Sequence, residues 1–469
     1  MPKRSKLSLF FFLILALALG VAGYVLFQDT DAPVITLSHT AENVSSFMPI
    51  TVTATDASSG VKRIDVVVRF KENEIPIASQ TFTAGREQSV TFNLAEAGLK
   101  NNDTFDLEVT AIDASYGGLG FGNKNKLIAP MRLDMSPPRM SVKSSVPYVR
   151  KGGVSCVVYS ISKDVQQTGV KVSDYFFPSF RQSNGDYLCF FAFPYNMEMK
   201  DFSPQLVALD LAGNMRSVEL PVSRMNRQFK HDTINISQGF LDAKAAEFEI
   251  MAPGDMSDLD RFLKVNGQIR RENALALLEV GKNTAPEMLW KGAFLRLPRA
   301  ASRAGFADHR TYLWEGQNVD EQTHLGFDLA SVKQAPVPAA NTGIVVYAGY
   351  MGIYGNLIVI DHGLGLQSLY SHLSEIAVEA GQQIAKGDII GKTGATGMAG
   401  GDHLHFGILV SGLEVTPLEW LDDHWIKDNI VDRIKDAGGT APEFTVTSPP
   451  EETPPARPAA KRQQGARRR

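Results

Sequence analysis

Residues 403–406 read His403-Leu404-His405-Phe406, and about 75 residues earlier the chain reads His324-Leu325-Gly326-Phe327-Asp328. Side chains alternate faces along a strand, so His403 and His405 point the same way, and a strand would also put His324 and Asp328 on one face. Two histidines and one aspartate make three protein ligands and leave a fourth position for water. That composition indicates a catalytic zinc site, not a closed structural one. Seven of the nine histidines lie at or beyond His309.

A His-x-His pair alone is weak evidence for a metal, because alternating polar residues on a half-exposed strand often produce one. Here the pair is accompanied by the upstream His-x-x-x-Asp and by Tyr370-Ser371-His372-Leu373 between the two motifs. A purely structural interpretation of all these residues is hard to sustain.

These motifs also resemble a known family. The matching segments are 324–328, Gly355-Asn356-Leu357-Ile358-Val359-Ile360-Asp361-His362-Gly363, 370–373, and 397–406 with its His-Leu-His-Phe run. They resemble the lysostaphin/LytM-type zinc endopeptidases, which cut peptidoglycan cross-bridges. The resemblance covers roughly residues 305 to 428, with the motifs in the family's order and spacing, and says nothing about the first 225 residues.

The resemblance implies that His324, Asp328 and His405 bind Zn²⁺ and that His372 and His403 are catalytic. Zinc polarises a carbonyl and lowers the pKa of its water to about 7, and imidazoles can orient that water and move its proton. Which histidine is the base and which the acid stays open at this point. Some relatives lack one or more of these residues and act without catalysis, whereas this chain has all five. We therefore expect an active zinc endopeptidase acting on peptidoglycan.

Two other classes of function remain as alternatives. One is a non-catalytic activator of a cell-wall amidase built on the same fold, which zinc analysis would separate from the enzyme. The other is an envelope structural or adhesion protein, in which the N-terminal domains carry the function.

The overall prediction is a mainly β protein. Short β-rich runs bounded by glycines, such as 343–350, 356–360, 366–373, 388–391 and 403–410, predict a compact β-rich peptidase domain over residues 305–428. The glycine spacing from Gly381 to Gly397 is also similar to that of lipoyl/biotinyl carrier domains. A carrier fold would leave the five His and Asp residues unexplained.

The N-terminus predicts a membrane anchor. Lys3, Arg4 and Lys6 precede an uncharged, mostly apolar run from Leu7 to Phe27, and about 20 such residues span a bilayer. We expect residues 1–29 to be a cytoplasmic N-terminus and an uncleaved transmembrane helix, with a cleaved signal peptide as the alternative. Basic residues before the helix then place the chain as a single-pass inner-membrane protein with its bulk in the periplasm or outside the cell.

Two predicted β-sandwiches follow, over residues 32–135 and 136–225. Alternating runs at 50–55, 61–70 and 105–111 indicate strands. Val109 to Asp113 before a Gly-rich turn ending in Asn123, and Val207 to Asn214, form a weak internal repeat similar to the last hairpin of bacterial immunoglobulin-like domains. Such modules serve as spacers or bind an envelope protein.

The remaining segments are a helical linker over residues 226–304 and a disordered Pro- and Arg-rich tail over 437–469. In the linker, Ser257-Asp258-Leu259-Asp260 predicts a helix start, and 272–280 a second helix separated from it at Asn266-Gly267. The linker is expected to pack on the peptidase domain. The net charge of −4 gives no indication of a nucleic-acid partner.

Cys156 and Cys189 lie in predicted strands of the second sandwich, where one disulfide and two buried free thiols are both open. Among the other histidines, His362 is expected at a turn or strand end, His309 in a solvated loop or lining a cleft, and His424 on the surface. The sequence gives His39 and His231 no role.

Overall fold

The computed structural model describes residues 10–11, 13–17, 20, 29–116, 121–441, 444 and 446. The chain divides into two compact units. The first comprises residues 1–141, 160–178 and 203–220, and the second comprises 142–159, 179–202 and 221–469.

The first predicted sandwich is present as two sheets in the first unit. Its strands are β1 (Val34–Leu37), β2 (Asn43–Val44), β3 (Ile50–Thr55), β4 (Val61–Phe70), β5 (Asn73–Gly85), β6 (Glu87–Phe92), β7 (Thr104–Asp113) and β8 (Lys124–Leu133). The sheet orders are β1-β3-β6 and β2-β8-β7-β4-β5. Inward-facing residues of both sheets, such as Val52 and Val66, share one apolar core, because alternation buries one face of each strand. Strands β3 and β4 have the predicted bounds.

Residues 136–225 form two further four-stranded sheets. Their strands, with one short parallel pair, are β9 (Met140–Ser145), β10 (Tyr148–Arg150), β11 (Val154–Ile161), β12 (Val165–Val172), β13 (Tyr175–Pro178), β14 (Phe180–Arg181), β15 (Tyr187–Ala192), β16 (Gln205–Asp210), β17 (Met215–Glu219) and β18 (Ser223–Met225). The sheet β13-β12-β16-β17 belongs to the first unit. Most of the sheet β14-β15-β11-β9 belongs to the second.

The internal repeat predicted at the ends of β7 and β16 has a matching local structure. Oδ1 of Asp113 accepts a hydrogen bond from the backbone N–H of Asn123, and Oδ1 of Asp210 accepts one from Asn214, each at 2.7 Å. The second bond fixes the tight turn after β16, and the first joins the end of β7 to Asn123, just before β8. Beside the second turn, Nζ of Lys163 lies 2.6 Å from Oδ2 of Asp210.

Cys156 and Cys189 are both buried, and no disulfide joins them. In the register of β11 and β15, Cys156 pairs with Phe190 and Cys189 pairs with Val157. Directly opposed residues share a face and consecutive residues alternate, so the two thiols lie on opposite faces of the sheet. Of the two alternatives open from the sequence, the structure has the two buried thiols without a disulfide.

Helices occupy residues 238–280 of the predicted linker and share a core with the peptidase sheet, whereas His231–Asn235 and Ala301–Ala304 in the same range are strands, so the prediction of a helical segment over 226–304 is correct only for its middle part. The helices are α1 (Gln238–Met251), α2 (Asp258–Lys264) and α3 (Arg270–Val280), with a π-helical turn at Val265–Ile269. The side chain of Ser257 caps α2 by accepting from the N–H of Asp260, as predicted. The separation predicted at Asn266-Gly267 is wrong, because the π turn carries the helix through it. Phe248, Phe262 and Leu277 pack with Leu357 and Val359 of the sheet, which confirms the predicted docking.

The remaining strands and helices build the peptidase region. They are β19 (His231–Asn235), β20 (Ala301–Ala304), β21 (Asp308–Trp314), β22 (Gln317–His324), β23 (Phe327–Ala330), β24 (Pro336–Pro338), β25 (Gly343–Met351), β26 (Gly355–Asp361), β27 (Leu366–Leu373), β28 (Glu375–Ile376), β29 (Gln383–Ile384), β30 (Ile389–Lys392), β31 (Leu404–Val410), β32 (Leu413–Val415), α4 (Asp423–Ile426) and α5 (Asp432–Asp436). Short 3-10 turns occur at Gly352–Tyr354 and Pro417–Glu419, and a π turn at Lys427–Val431.

An eight-stranded sheet forms the centre of this region. Its order is β20-β23-β31-β27-β26-β25-β29, with β32 beside β31. The adjoining three-stranded sheet is β19-β21-β22. Strands β26, β27 and β31 are almost wholly buried, which agrees with a central position in the sheet.

No helix among the residues that the structure describes is long and apolar enough to cross a membrane. The predicted anchor falls on residues 1–29, of which 1–9, 12, 18–19 and 21–28 lie outside the described part. Most of the predicted tail also lies outside it.

Candidate active site

The metal motif is assembled from three strands. His324 is the last residue of β22, Asp328 lies in β23, and His405 lies in β31. The expectation that one strand carries both His324 and Asp328 is wrong, because a turn at Leu325-Gly326 passes the chain from one sheet to the other. Asp328 and His405 are directly opposed across the β23–β31 ladder, and this places their side chains on one face.

The three side chains converge on one point. Nε2 of His324 lies 2.9 Å from Oδ1 of Asp328 and 2.8 Å from Nδ1 of His405. Nδ1 of His405 lies 3.0 Å from the same carboxylate oxygen. All three residues are at most 9% exposed, so their polar atoms face one another and not bulk water.

The hydrogen bond on the far side of the His324 ring sets its tautomer. Nδ1 of His324 lies 2.8 Å from the carbonyl oxygen of Gly305, and a carbonyl can only accept. Nδ1 therefore carries the proton, and the Nε2 lone pair points at Asp328 and His405. A lone pair aimed at a carboxylate and a second imidazole suits a bound cation, and these donor types are those of catalytic zinc sites.

Arg310 of β21 holds the other oxygen of the Asp328 carboxylate. Its terminal nitrogen donates to Oδ2 of Asp328 at 3.0 Å. Burial favours the neutral acid, but the adjacent His324, His403 and His405 outweigh it and hold the pKa of Asp328 well below its usual range. The group is therefore a carboxylate, with one oxygen fixed by Arg310 and the other facing the histidines.

His405 is almost fully buried. A Cβ atom at Gly326 would lie 2.4 Å from its Nε2, so the turn between β22 and β23 needs a glycine because the imidazole ring packs against it. Burial lowers the pKa of His405 to about 4, against the opposing effect of Asp328. The ring is therefore neutral at pH 7, as a metal ligand must be.

The two predicted catalytic histidines stand beside this cluster. The ring centroids of His372 and His403 are 5.0 Å apart, and those of His372 and His405 are 5.7 Å apart. His372 is the second-last residue of β27 and has φ = +62°, a left-handed conformation uncommon for a residue with a side chain. The structure thus brings all five predicted site residues together.

The two rings have different proton affinities. Nδ1 of His372 donates to the carbonyl oxygen of Thr396 at 2.8 Å, which leaves Nε2 as an acceptor. Burial, followed by the neighbouring His403 and His405, puts the pKa of His372 well below its usual value. His403 donates from Nδ1 to Gly401 and presents Nε2 at 3.4 Å to Asp328. Burial lowers its pKa, but the bond and charge of Asp328 outweigh this and raise it.

A cleft of about 330 Å³ opens over the five residues. Besides them it is lined by residues of β19, β21, the linker helices, the 3-10 turn at Gly352–Tyr354 and the loop before β31, among them Phe240, Phe262, Arg270, Arg310, Tyr354 and Met398. A concave apolar site with a few converging polar groups is typical of substrate pockets. The linker therefore forms one wall of the candidate active site.

The other histidines have structural surroundings. His362 is fully buried, with its ring nitrogens bonded to the Thr342 carbonyl and the Ser368 hydroxyl, each at 2.7 Å. Burial lowers the pKa of His362 to about 4. His309 lies on β21, not in a loop, and its ring is near that of His231. His424 lies in α4.

Sequence reasoning missed several residues that shape the site. Arg310 holds Asp328, Gly326 gives His405 its space, and the carbonyls of Gly305 and Thr396 orient His324 and His372. Gly326 stood inside the quoted motif, so its position next to the ligands was a usable signal. The carbonyl contacts could not be predicted, because every residue has a backbone carbonyl. The contact of Arg310 could not be predicted because Arg310 and Asp328 lie on different sheets.

The geometry indicates a class of protein: a metal-dependent hydrolase whose β-sheet carries a His-Asp-His metal site with two further histidines beside it. Comparison with known proteins identifies one domain of the chain. Residues 322–417 match the model of Peptidase family M23. The chain carries an M23 peptidase domain, which confirms the family resemblance seen in the sequence.

Similar proteins include two bacterial enzymes. The DD-carboxypeptidase/endopeptidase Mpg of Neisseria meningitidis is 37% identical over 95 residues, 20% of this chain and 22% of the relative. The peptidoglycan DD-endopeptidase ShyA of Vibrio cholerae is 38% identical over 96 residues, again 20% and 22%. The chain thus matches less than a quarter of the length of these relatives.

Among solved structures, a peptidase M23 from Pseudomonas aeruginosa is 19% identical with a TM-score of 0.38, covering 60% of this chain and 96% of that one. The catalytic domain of lysostaphin from Staphylococcus simulans is 28% identical with a TM-score of 0.23, covering 27% and 94%.

Proposed function

We propose that this chain is a zinc endopeptidase that hydrolyses peptide bonds of peptidoglycan in the cell envelope. The observation that carries the proposal is the convergence of His324, Asp328 and His405 within 3.0 Å of one another, beside two further histidines of different proton affinity. The named activities of the two relatives, both enzymes with endopeptidase in their names, support it.

Zinc held by His324, Asp328 and His405 would polarise the scissile carbonyl and activate a water molecule. Two histidines of the chain then carry out the two proton transfers. His372 is neutral with Nε2 free, so it accepts the proton of the attacking water. His403 retains its proton more readily and donates to the departing amine or the developing oxyanion. Each role needs an imidazole with its other nitrogen fixed, and the carbonyls of Thr396 and Gly401 fix them.

The cleft supports a peptide substrate. Its apolar wall excludes water from the reacting atoms, which strengthens the electrostatic interactions inside it. Arg270 lines the same cleft and adds positive charge where a substrate carboxylate can be held. Stem peptides of peptidoglycan carry free carboxylates near their cross-links.

The N-terminal parts give the proposed location. The basic and apolar segment of residues 1–29 supports a single-pass inner-membrane anchor, with the peptidase on the wall side. We propose that the sandwiches of residues 32–225 are immunoglobulin-like modules that set the distance to the wall or bind an envelope protein. The Asp–Asn hydrogen bonds at the ends of β7 and β16 support this.

The test is digestion of purified, soluble cross-linked muropeptides by residues 29–469. Mass spectrometry should show peptide-bond hydrolysis with intact glycan, lost on chelation and restored by zinc. The matched control is Asp328→Asn, which keeps the shape and removes the carboxylate charge. Absence of hydrolysis by protein that contains one zinc per chain would refute the proposal and favour a non-catalytic activator.

A further inference from the structure

Helix α1 of the linker lies outside the part of the chain that matches the peptidase family, yet two of its side chains form hydrogen bonds to the loop of residues 393–403 before β31. Lys244 is 6% exposed, and a lysine is seldom buried without a partner. Its Nζ donates to the carbonyl oxygen of Ala395 and to Oε1 of Glu247, the latter at 3.0 Å. The buried ammonium is thereby paired, and one of its bonds is to the loop before β31.

Glu247 lies one turn further along α1 and binds the same loop. Its partner is the peptide group that follows Thr396, whereas Lys244 binds the peptide group that precedes it. Oε2 of Glu247 accepts from the backbone N–H of Gly397 at 2.5 Å and from the hydroxyl of Tyr350 at 3.3 Å. Lys244 and Glu247 therefore hold the carbonyl of Ala395 and the amide of Gly397. These two peptide groups flank Thr396.

Thr396 is the residue whose carbonyl oxygen accepts from Nδ1 of His372. Its hydroxyl also donates to the Leu373 carbonyl at 3.0 Å and accepts from the N–H of Asn356 at 2.9 Å. Because His372 sits in a left-handed conformation near the end of its strand, its ring orientation depends on this loop as well as on the sheet.

We infer that Lys244 and Glu247 are positioning residues for His372: they fix the peptide groups on both sides of Thr396 and so aim the imidazole. The inference rests on the proposed function. Neither side chain lines the cleft, so their effect is on the geometry of His372 and not on substrate contact. A misplacement of about 1 Å at a catalytic group can cost ~100-fold in rate.

The deciding comparison uses two substitutions at one position in the ectodomain of residues 29–469. Glu247→Met removes the carboxylate that accepts from Gly397 and keeps a side chain of similar length, whereas Glu247→Gln keeps an oxygen that can accept the same hydrogen bond. We expect Glu247→Met to lower kcat by about 10- to 100-fold with KM within about threefold and zinc content unchanged. Glu247→Gln should retain most of kcat. Lys244→Met should behave like Glu247→Met, and it carries the test if Glu247→Met does not fold.

A readout independent of activity is the imidazole signal of His372. In ¹⁵N-histidine-labelled protein, the Nδ1–H of wild type should give a downfield proton resonance, assigned with His372→Gln. That resonance should shift or exchange away in Glu247→Met and persist in Glu247→Gln. The control is Glu279→Met on α3, whose carboxylate pairs with Lys282 at the exposed surface and touches no loop of the site.

Wild-type kcat in Glu247→Met and Lys244→Met, or an unchanged His372 resonance, would overturn the inference. So would a loss of activity matched by loss of zinc, because that would place the effect on the metal ligands. An inactive wild type would refute the proposed function instead, and the resonance comparison would still decide whether α1 orients His372.

Discussion

A Cβ atom on Gly326 would lie 2.4 Å from Nε2 of His405 and 2.6 Å from its Cε1. Real Cβ atoms do not approach other atoms so closely, so any side chain at this position must push the imidazole or the turn away. The turn between His324 and Asp328 therefore needs a glycine at position 326 so that His405 can lie beside Asp328.

Gly326→Ala should weaken zinc binding by about 10- to 100-fold, because His405 must leave its position beside Asp328. Competition titration with a chelating zinc indicator measures this directly. Gly239→Ala in α1, where nothing lies within 4 Å, is the matched control and should bind zinc normally. Wild-type affinity in Gly326→Ala would show that the turn relaxes without moving the ring.

Removal of the three ligands and of the two other histidines should have different consequences. His324→Ala, Asp328→Ala and His405→Ala should each lose both zinc and activity. His372→Ala and His403→Ala should keep zinc and lose activity by about 10²- to 10⁴-fold, because they move protons and do not hold the metal. Metal analysis of each purified variant measures the first property and muropeptide hydrolysis the second. If His403→Ala empties the site as His405→Ala does, the division of roles is wrong.

Glu419 should make stability depend on pH. It is buried, with Oε2 accepting from the N–H of Val154 at 2.8 Å, and burial raises its pKa to about 8, opposed by Arg227 and Arg150. A raised folded-state pKa stabilises the protein at low pH, and this contribution is lost as pH rises from about 4.5 towards 8. Glu419→Gln should flatten the fall of Tm between pH 5 and 8. As a control, substitution of the exposed Glu375 by Gln should leave the pH dependence of Tm unchanged. If Tm falls as steeply with pH in Glu419→Gln as in wild type, Glu419 is not the group responsible.

Cys156 and Cys189 should remain reduced in protein isolated from an oxidising compartment, since their thiols lie on opposite faces of one sheet. We expect two thiols per chain to react with Ellman's reagent after unfolding, and almost none in the native state because both are buried. A mass lower by two hydrogens, with no reactive thiol in denaturant, would show a disulfide.

The anchor prediction is tested by membrane fractionation. Full-length protein should stay with membranes after a high-salt wash, because salt screens surface charges but does not remove a spanning helix. A version starting at Asp29 behind a cleavable signal should be released. A natural mature N-terminus near Gln28 or Asp29 would instead establish cleavage.

The local patterns of the sequence were sufficient for much of the fold. Alternation predicted the observed bounds of β3 and β4, a β-rich run bounded by glycines predicted those of β27, and Ser257 marked the start of α2. These features depend on nearest neighbours in the chain, such as a side chain that caps its own helix. The continuity of α2 into α3 was missed, because Asn266-Gly267 disfavours a helix locally while Val265 and Leu277 are held in the shared core.

The sequence by itself, through residue type, order, spacing and the family resemblance, predicted the five residues that the structure brings together: His324, Asp328, His405, His372 and His403. Only the tertiary structure decided how they are held. Four features join residues distant in the chain: the crossing between two sheets at Gly326, the Arg310 bond to Asp328, the carbonyls that set the tautomers of His324 and His372, and the bonds of α1 to the peptide groups on either side of Thr396. The physical reason is that ligand chemistry belongs to individual side chains, whereas orientation and proton affinity come from burial and from partners that meet only when the sheets and helices pack.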